Sequence, residues 1–95
     1  MAYRRESGPS RRWQQWKKRN EAALARCGLP EAVLRDERSW WNYLEHGYLH
    51  HFRTEDLSRA QMEALYDLLS TEVSEDERRS AQVWLHLTHL LGERA

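Results

Sequence analysis

Apolar residues recur at helical spacing in four stretches of the chain. In the first stretch they are Trp13, Trp16, Ala23, Leu24 and Cys27. Ser10 stands before this stretch and Gly28 stands after it, in the positions that N-caps and C-terminal glycines take at helix ends. The pattern predicts a helix over 10–27 that packs through a narrow apolar seam.

A second apolar pattern starts just after Pro30, a residue suited to the first turn of a helix, and stops at Gly47. It predicts a helix over 30–46. Glu37 falls inside the apolar sector of this helix. We expect it to form an ion pair with an arginine of the first or the fourth helix.

The third helix has a strong start signal, because Ser58 and Gln61 form the S-x-x-Q capping box. This signal predicts a helix over 59–72. An earlier start, at residue 55 with Thr54 as the cap, is the alternative.

Ser74 and Glu77 repeat the capping box and predict a fourth helix over 75–91. Apolar residues cover most of the circumference of this helix. It is therefore expected to be either the central helix of the fold or a surface for another chain, such as a second copy in a homo-oligomer.

Together these stretches predict an all-α fold, a small four-helix bundle, in a single domain over 10–95. Residues 1–9 contain Ser7-Gly8-Pro9 and predict a flexible basic N-terminal arm. No segment alternates apolar and polar residues between turn signals, so no strand is expected. The chain of 95 residues is long enough for one core.

The distribution of charge along the chain sets the N-terminal region apart from the rest. The net charge is zero, but residues 1–20 carry +6 and the remainder carries −6. A basic arm and first helix favour an anionic partner or the chain's own acidic surface. Nucleic-acid binding is therefore one hypothesis, and its candidate residues are Arg4, Arg5, Arg11, Arg12, Lys18, Arg19 and Arg26.

Catalytic and metal chemistry have little support in the sequence. His86 and His89 stand three apart, a spacing that a metal site can use, but they lie on the polar side of their helix. A histidine metal site is therefore the weakest of the alternatives, and we expect no metal and no cofactor. Cys27 is the only cysteine and lies on an apolar seam, where thiols are inert. We expect a protein that is not an enzyme.

Large rings are abundant, with five tryptophans and four tyrosines. One small core does not enclose them all, and aromatic residues are enriched at binding hot spots. The leading hypothesis is a non-catalytic protein-binding module, a regulator or inhibitor. Its candidate partner-binding residues are Trp41, Tyr43, Tyr48 and Phe52. The lone cysteine and the lack of a signal or a membrane-spanning run lead us to expect a cytoplasmic location and no membrane partner.

Overall fold

Helices dominate residues 10–92, the part of the chain that the computed structural model describes. The helices are α1 (Arg11–Arg19), α2 (Glu21–Cys27), α3 (Glu31–Leu34), α4 (Glu37–His46), α5 (Arg59–Glu72), α6 (Glu75–Arg79) and α7 (Gln82–Leu90). Two short strands, β1 (Tyr48–Leu49) and β2 (Phe52–Arg53), and a 3-10 turn (Thr54–Asp56) lie between α4 and α5. The predicted arm at residues 1–9 lies outside the described residues.

The first predicted helix is helical but is not continuous. Ser10 caps it, accepting a hydrogen bond from the backbone N–H of Trp13 at 3.1 Å, and Gly28 ends it with a φ of 65°. It breaks at Asn20, whose side-chain amide donates to the carbonyl of Trp16 at 3.1 Å. Asparagine competes with the helix for backbone hydrogen bonds in this way. The single helix expected over 10–27 is therefore two helices, α1 and α2.

The second predicted helix is also divided, in this case by an internal cap. The Asp36 carboxylate accepts a hydrogen bond from the backbone N–H of Ser39 at 2.8 Å, while its own backbone is extended. Asp36 thereby starts a new helix, α4, a few residues after α3 has begun. Gly47, with a φ of 83°, ends α4 as expected.

The third predicted helix is confirmed as one continuous element. Ser58 accepts a hydrogen bond from the N–H of Gln61 at 3.2 Å, and the Gln61 side chain accepts one from the N–H of Ser58 at 2.8 Å. The capping box thus starts α5. Thr54, the alternative cap, belongs to the separate 3-10 turn.

The fourth predicted helix starts at its predicted capping box, formed by Ser74 and Glu77, but breaks after one turn. The Ser80 hydroxyl donates to the carbonyl of Glu77 at 3.3 Å, and Ala81 is extended. The helix expected over 75–91 is therefore the pair α6 and α7. With three of its four stretches interrupted, the described chain has seven helices, and its mostly helical structure agrees with the predicted all-α class.

A small β-hairpin occupies the connector, where no strand was expected. Tyr48 pairs with Arg53 and Leu49 with Phe52, and His50 and His51 form the loop. Two paired residues per strand are too few to produce a visible alternation in the sequence. Both histidines have positive φ, 49° and 67°, which a two-residue type I′ loop requires and which side chains other than glycine or asparagine disfavour.

One cluster of buried side chains forms the core. Helix α5 packs against α2 and α7, and α7 also packs against α4. The cluster includes Leu24, Val33, Leu44, Leu65, Leu69 and Leu87. Over residues 10–92, no helix is both long enough and apolar enough to cross a membrane.

Arg78 ties the end of α5 to α6 and α7. Its Nη1 donates to the carbonyls of Val73 at 2.6 Å, Ser70 at 2.9 Å and Leu69 at 3.3 Å. Its guanidinium carbon also lies 4.8 Å from the centre of the Trp84 ring. One side chain therefore satisfies carbonyls that the end of a helix leaves without partners.

We expect replacement of Arg78 by lysine to lower the free energy of unfolding by about 1–2 kcal/mol, because an ammonium cannot donate to these carbonyls and stack on the indole together. Urea unfolding measures the loss. Arg79→Lys is the matched control, because Arg79 contacts only the exposed acidic side chains of Glu75 and Asp76 among its described ion pairs. Equal losses in both variants would contradict this role of Arg78.

The hairpin loop yields a second stability prediction. The double variant His50→Asn, His51→Gly should raise the free energy of unfolding by about 1 kcal/mol, because Asn-Gly adopts positive φ at little cost. Thermal and urea unfolding measure the gain. The double alanine variant keeps a Cβ at both positions and should show no gain. A gain of similar size with alanine would mean that backbone strain is not the cause.

Candidate functional site

A cluster of indoles joins α1 to α4. Trp13 stacks on Trp16 with ring centres 4.8 Å apart, and Trp40 lies 5.3 Å from Trp16 at a tilt. The Trp13 indole N–H donates to the carbonyl of Leu34 at 3.0 Å. Trp13 and Trp40 are buried, whereas Trp16 is half-buried and presents part of its ring at the surface.

A cleft of about 370 Å³ opens beside this cluster, and we refer to it as the tryptophan cleft. Four tryptophans line it, together with charged side chains from α1, α4, α5 and α6. The tryptophans are Trp13, Trp16, Trp40 and Trp41, and the charged residues are Arg12, Arg19, Glu37, Glu72 and Glu77. An open cleft with an aromatic lining and a charged margin is a typical binding surface.

Two carboxylates of the cleft, those of Glu37 and Glu72, lie deeper than its arginines. The side chains of Glu72 and Glu37 are 25% and 41% exposed, against 65% for Arg19 and 85% for Arg12. Glu72 is also anchored, because the Trp16 indole N–H donates to its Oε1 at 2.9 Å. The interior of the cleft is therefore aromatic and acidic, and its positive charge lies further out.

Two long ion pairs cross this cleft. Arg12 Nη2 lies 3.9 Å from Glu37 Oε2, and Arg19 Nη2 lies 3.9 Å from Glu72 Oε1. The Arg12 pair agrees with the expectation that Glu37 meets an arginine of the first helix. At these distances and exposures the pairs contribute little to stability.

Trp41 is the half-buried ring shared by two neighbouring depressions. Besides the tryptophan cleft, it lines a smaller depression of about 220 Å³ with Leu44, Glu45, Ser80 and other residues of α6 and the turn that follows. Glu77 also lines both. Trp41 therefore stands between acidic side chains on either side.

The other predicted partner-binding residues are placed differently. Tyr48 is 61% exposed at the start of the hairpin. Phe52 is half-buried, with its ring 5.5 Å from that of Tyr43. Tyr43 itself is not at the surface: it is fully buried, and its hydroxyl lies 2.9 Å from the Thr54 hydroxyl. Tyr43 was expected to contact a partner, but Phe52 of the hairpin and Thr54 of the 3-10 turn cover it.

Sequence reasoning missed most of the cleft. Trp16 was assigned with Trp13 to a buried seam, and neither Glu72 nor Glu77 was considered as a site residue. The signal that was available is Trp41, which the sequence already offered as a candidate partner-binding residue and which the structure places in the lining of the cleft. Glu72 could not be found from the sequence, because it meets the Trp16 indole N–H from a position 56 residues further along the chain.

The basic residues of the nucleic-acid hypothesis lie on α1 and α2 where the structure describes them. These residues, Arg11, Arg12, Lys18, Arg19 and Arg26, are all exposed. Arg4 and Arg5 lie outside the described residues. The break at Asn20 places Arg26 on α2, whereas Arg12 and Arg19 lie on α1.

The histidines are not brought together as ligands. His86 is partly exposed and its Nδ1 lies 3.9 Å from Glu55 Oε1, while His89 is exposed. Among residues 10–92, no three histidine, cysteine, aspartate or glutamate side chains are grouped as a metal site requires.

Leu85 is the exposed apolar residue of α7, the helix considered for self-association, with 47% of its surface accessible. Trp84 and Leu90 on the same helix are half-buried, and Val83 and Leu87 are fully buried. Most of the apolar circumference of α7 is thus taken up by contacts with α4 and α5.

Comparison with models of protein families, with curated proteins and with solved structures gave no match for this chain. The function must therefore be inferred from the arrangement of its own residues.

Cys27 is a buried thiol on α2, outside the cleft. Burial raises its pKa from 9.0 to about 11, because a thiolate would lose its hydration there. The folded chain thus holds this proton more tightly than the unfolded chain does. The resulting stability is present below the unfolded pKa and is lost as the pH rises toward the folded value.

We therefore expect the free energy of unfolding of the native chain to fall more steeply between about pH 9 and pH 11 than that of Cys27→Ala. Urea unfolding at several pH values measures both slopes. As a second measurement, alkylation by iodoacetamide at about pH 8 should be at least ~100-fold slower than in the urea-unfolded chain. Rapid alkylation of the folded chain would show that the thiol is accessible.

Proposed function

We propose that the chain is a non-catalytic protein-binding module that docks a partner at the tryptophan cleft. The observation that carries this proposal is the position of Trp41, a half-buried indole shared by two depressions with carboxylates around it. Tryptophan in such a position offers a large contact area at a small loss of conformational entropy.

The rigidity of the surroundings supports the same proposal. Trp16 and Trp40 are fixed by ring contacts with Trp13, and Trp13 is held by its hydrogen bond to Leu34. A surface that is already ordered loses less entropy on binding than a mobile one. The tryptophan cleft therefore meets the physical requirements of a docking surface.

Nucleic-acid binding through α1 and α2 is the second candidate, and the exposure of Arg12 and Arg19 favours it. The nearby carboxylates of Glu37 and Glu72 disfavour it, because they would repel a phosphate that approached these two arginines. Protein is therefore the partner class that we place first.

We expect Trp41→Ala to reduce the capture of partner protein by at least about tenfold, because an interface tryptophan typically contributes 2 kcal/mol or more to binding. The measurement is affinity capture from a nuclease-treated extract, quantified for each captured protein. Thermal unfolding of each variant checks that folding is retained, and Trp41→Phe serves if the alanine variant unfolds.

Trp84→Ala is the matched control, because Trp84 is another half-buried indole and contacts Tyr66 and Arg78 outside the cleft. Tyr48→Ala tests the hairpin separately.

Capture that is unchanged by Trp41 variants contradicts docking at the cleft. Capture that occurs only from an extract not treated with nuclease, and that falls steeply with salt and in the double variant Arg12→Ala, Arg19→Ala, indicates the nucleic-acid alternative. Association of the chain with itself that Leu85→Glu abolishes would indicate a homo-oligomer through α7.

A further inference from the structure

The tryptophan cleft combines the two features that bind organic cations. Indole faces attract a cation through the negative charge of their π-systems, and carboxylates attract it directly. Here the half-buried rings of Trp16 and Trp41 line the same cleft as Glu37, Glu72 and Glu77. We propose, resting on the protein-binding function above, that this cleft binds an arginine side chain of the partner protein.

The acidic groups are positioned before any partner arrives. The Trp16 indole N–H holds Oε1 of Glu72 at 2.9 Å, and the Ser74 hydroxyl lies 3.0 Å from Oε1 of Glu77. Within residues 10–92, no hydrogen bond is described to the second oxygen of either carboxylate, so that oxygen can accept from a further donor. Acceptors that are already oriented increase affinity, because the partner does not have to order them.

Arg12 and Arg19 lie at the cleft, but their contacts with the carboxylates of Glu37 and Glu72 are long. Charge-assisted hydrogen bonds between nitrogen and oxygen measure about 2.7–2.9 Å. The Arg12–Glu37 and Arg19–Glu72 contacts are both 3.9 Å, and both arginines are largely exposed. A partner cation inside the cleft can therefore form shorter contacts than those present.

The guanidinium group fits this cleft better than an ammonium does. It is planar, so it can lie on an indole while its N–H fork donates to carboxylates at its edge. The same chain already uses this combination at Arg78, which lies over Trp84 and donates to three carbonyls. A phosphate is disfavoured because the three carboxylates that line the cleft outnumber its two arginines.

Three blocked tripeptides, Gly-Arg-Gly, Gly-Lys-Gly and Gly-citrulline-Gly, test the proposal when titrated into the full chain. Indole N–H signals in ¹H–¹⁵N spectra, assigned with Trp16→Phe and Trp41→Phe, report binding. We expect saturable shifts of the Trp16 and Trp41 signals with the arginine peptide. The lysine peptide should bind at least about threefold more weakly, and the uncharged citrulline peptide should give no saturable shift.

The double variant Glu37→Gln, Glu72→Gln tests the carboxylates and preserves a side-chain oxygen for the Trp16 N–H. It should weaken binding of the arginine peptide by at least about fivefold. Glu63→Gln is the matched control, because Glu63 is 40% exposed and paired with Arg59 on α5, away from the cleft. Its affinity should equal that of the native chain.

The arginine proposal is overturned if the lysine peptide binds as tightly as the arginine peptide. It is equally overturned if no peptide gives a saturable shift, or if the double variant binds as well as Glu63→Gln. Protein capture that still depends on Trp41 in any of these cases would leave the docking function standing with a different ligand. Loss of Trp41 dependence in capture would remove the docking function itself.

Discussion

The hydrogen bond from the Trp13 indole to the carbonyl of Leu34 is the contact on which the tryptophan cleft depends. It joins α1 to the end of α3, where a helix carbonyl has no partner of its own, and so it fixes a surface helix to the core. With Trp13 held in place, its stacking contact orients Trp16, and Trp16 in turn orients Glu72. Residues from α1, α3 and α5 are thereby coupled through two stacked rings, those of Trp13 and Trp16.

This coupling explains how a chain with no net charge acquires a local electrostatic character. Acidic and basic residues balance over the whole sequence, and some of them pair along an exposed helix surface, as Arg59 does with Glu63. At the tryptophan cleft Glu72 is held by the hydrogen bond from Trp16 and is less exposed than Arg19, and Glu37 is less exposed than Arg12. Such a separation is set by side-chain length and local donors, and the net charge of the sequence carries no information about it.

Local signals in the sequence predicted the helix ends well, because a cap depends on a few adjacent residues. Ser10, Ser58, Ser74, Gly28 and Gly47 all act as their residue types suggested. The interruptions at Asn20 and Asp36 were missed, since apolar spacing continues across them while side chains compete for the backbone. The cleft was missed for a different reason: it is built from contacts between residues far apart in sequence, and only Trp41 among its aromatic residues stood out beforehand as a surface ring.

Helix α6 has a consequence for the dynamics of the chain. It has five residues, none of them buried, so apolar packing contributes little to keeping it folded. Its stability depends on its capping box and on Arg78. Segments of this kind open locally, at a free energy well below that of global unfolding, and their amide hydrogens exchange early. Glu77 of α6 forms part of the cleft, so local unfolding of α6 would remove one wall of the cleft while the core stays folded. An occupant that contacts Glu77 would therefore slow amide exchange in α6, although it covers little of that helix.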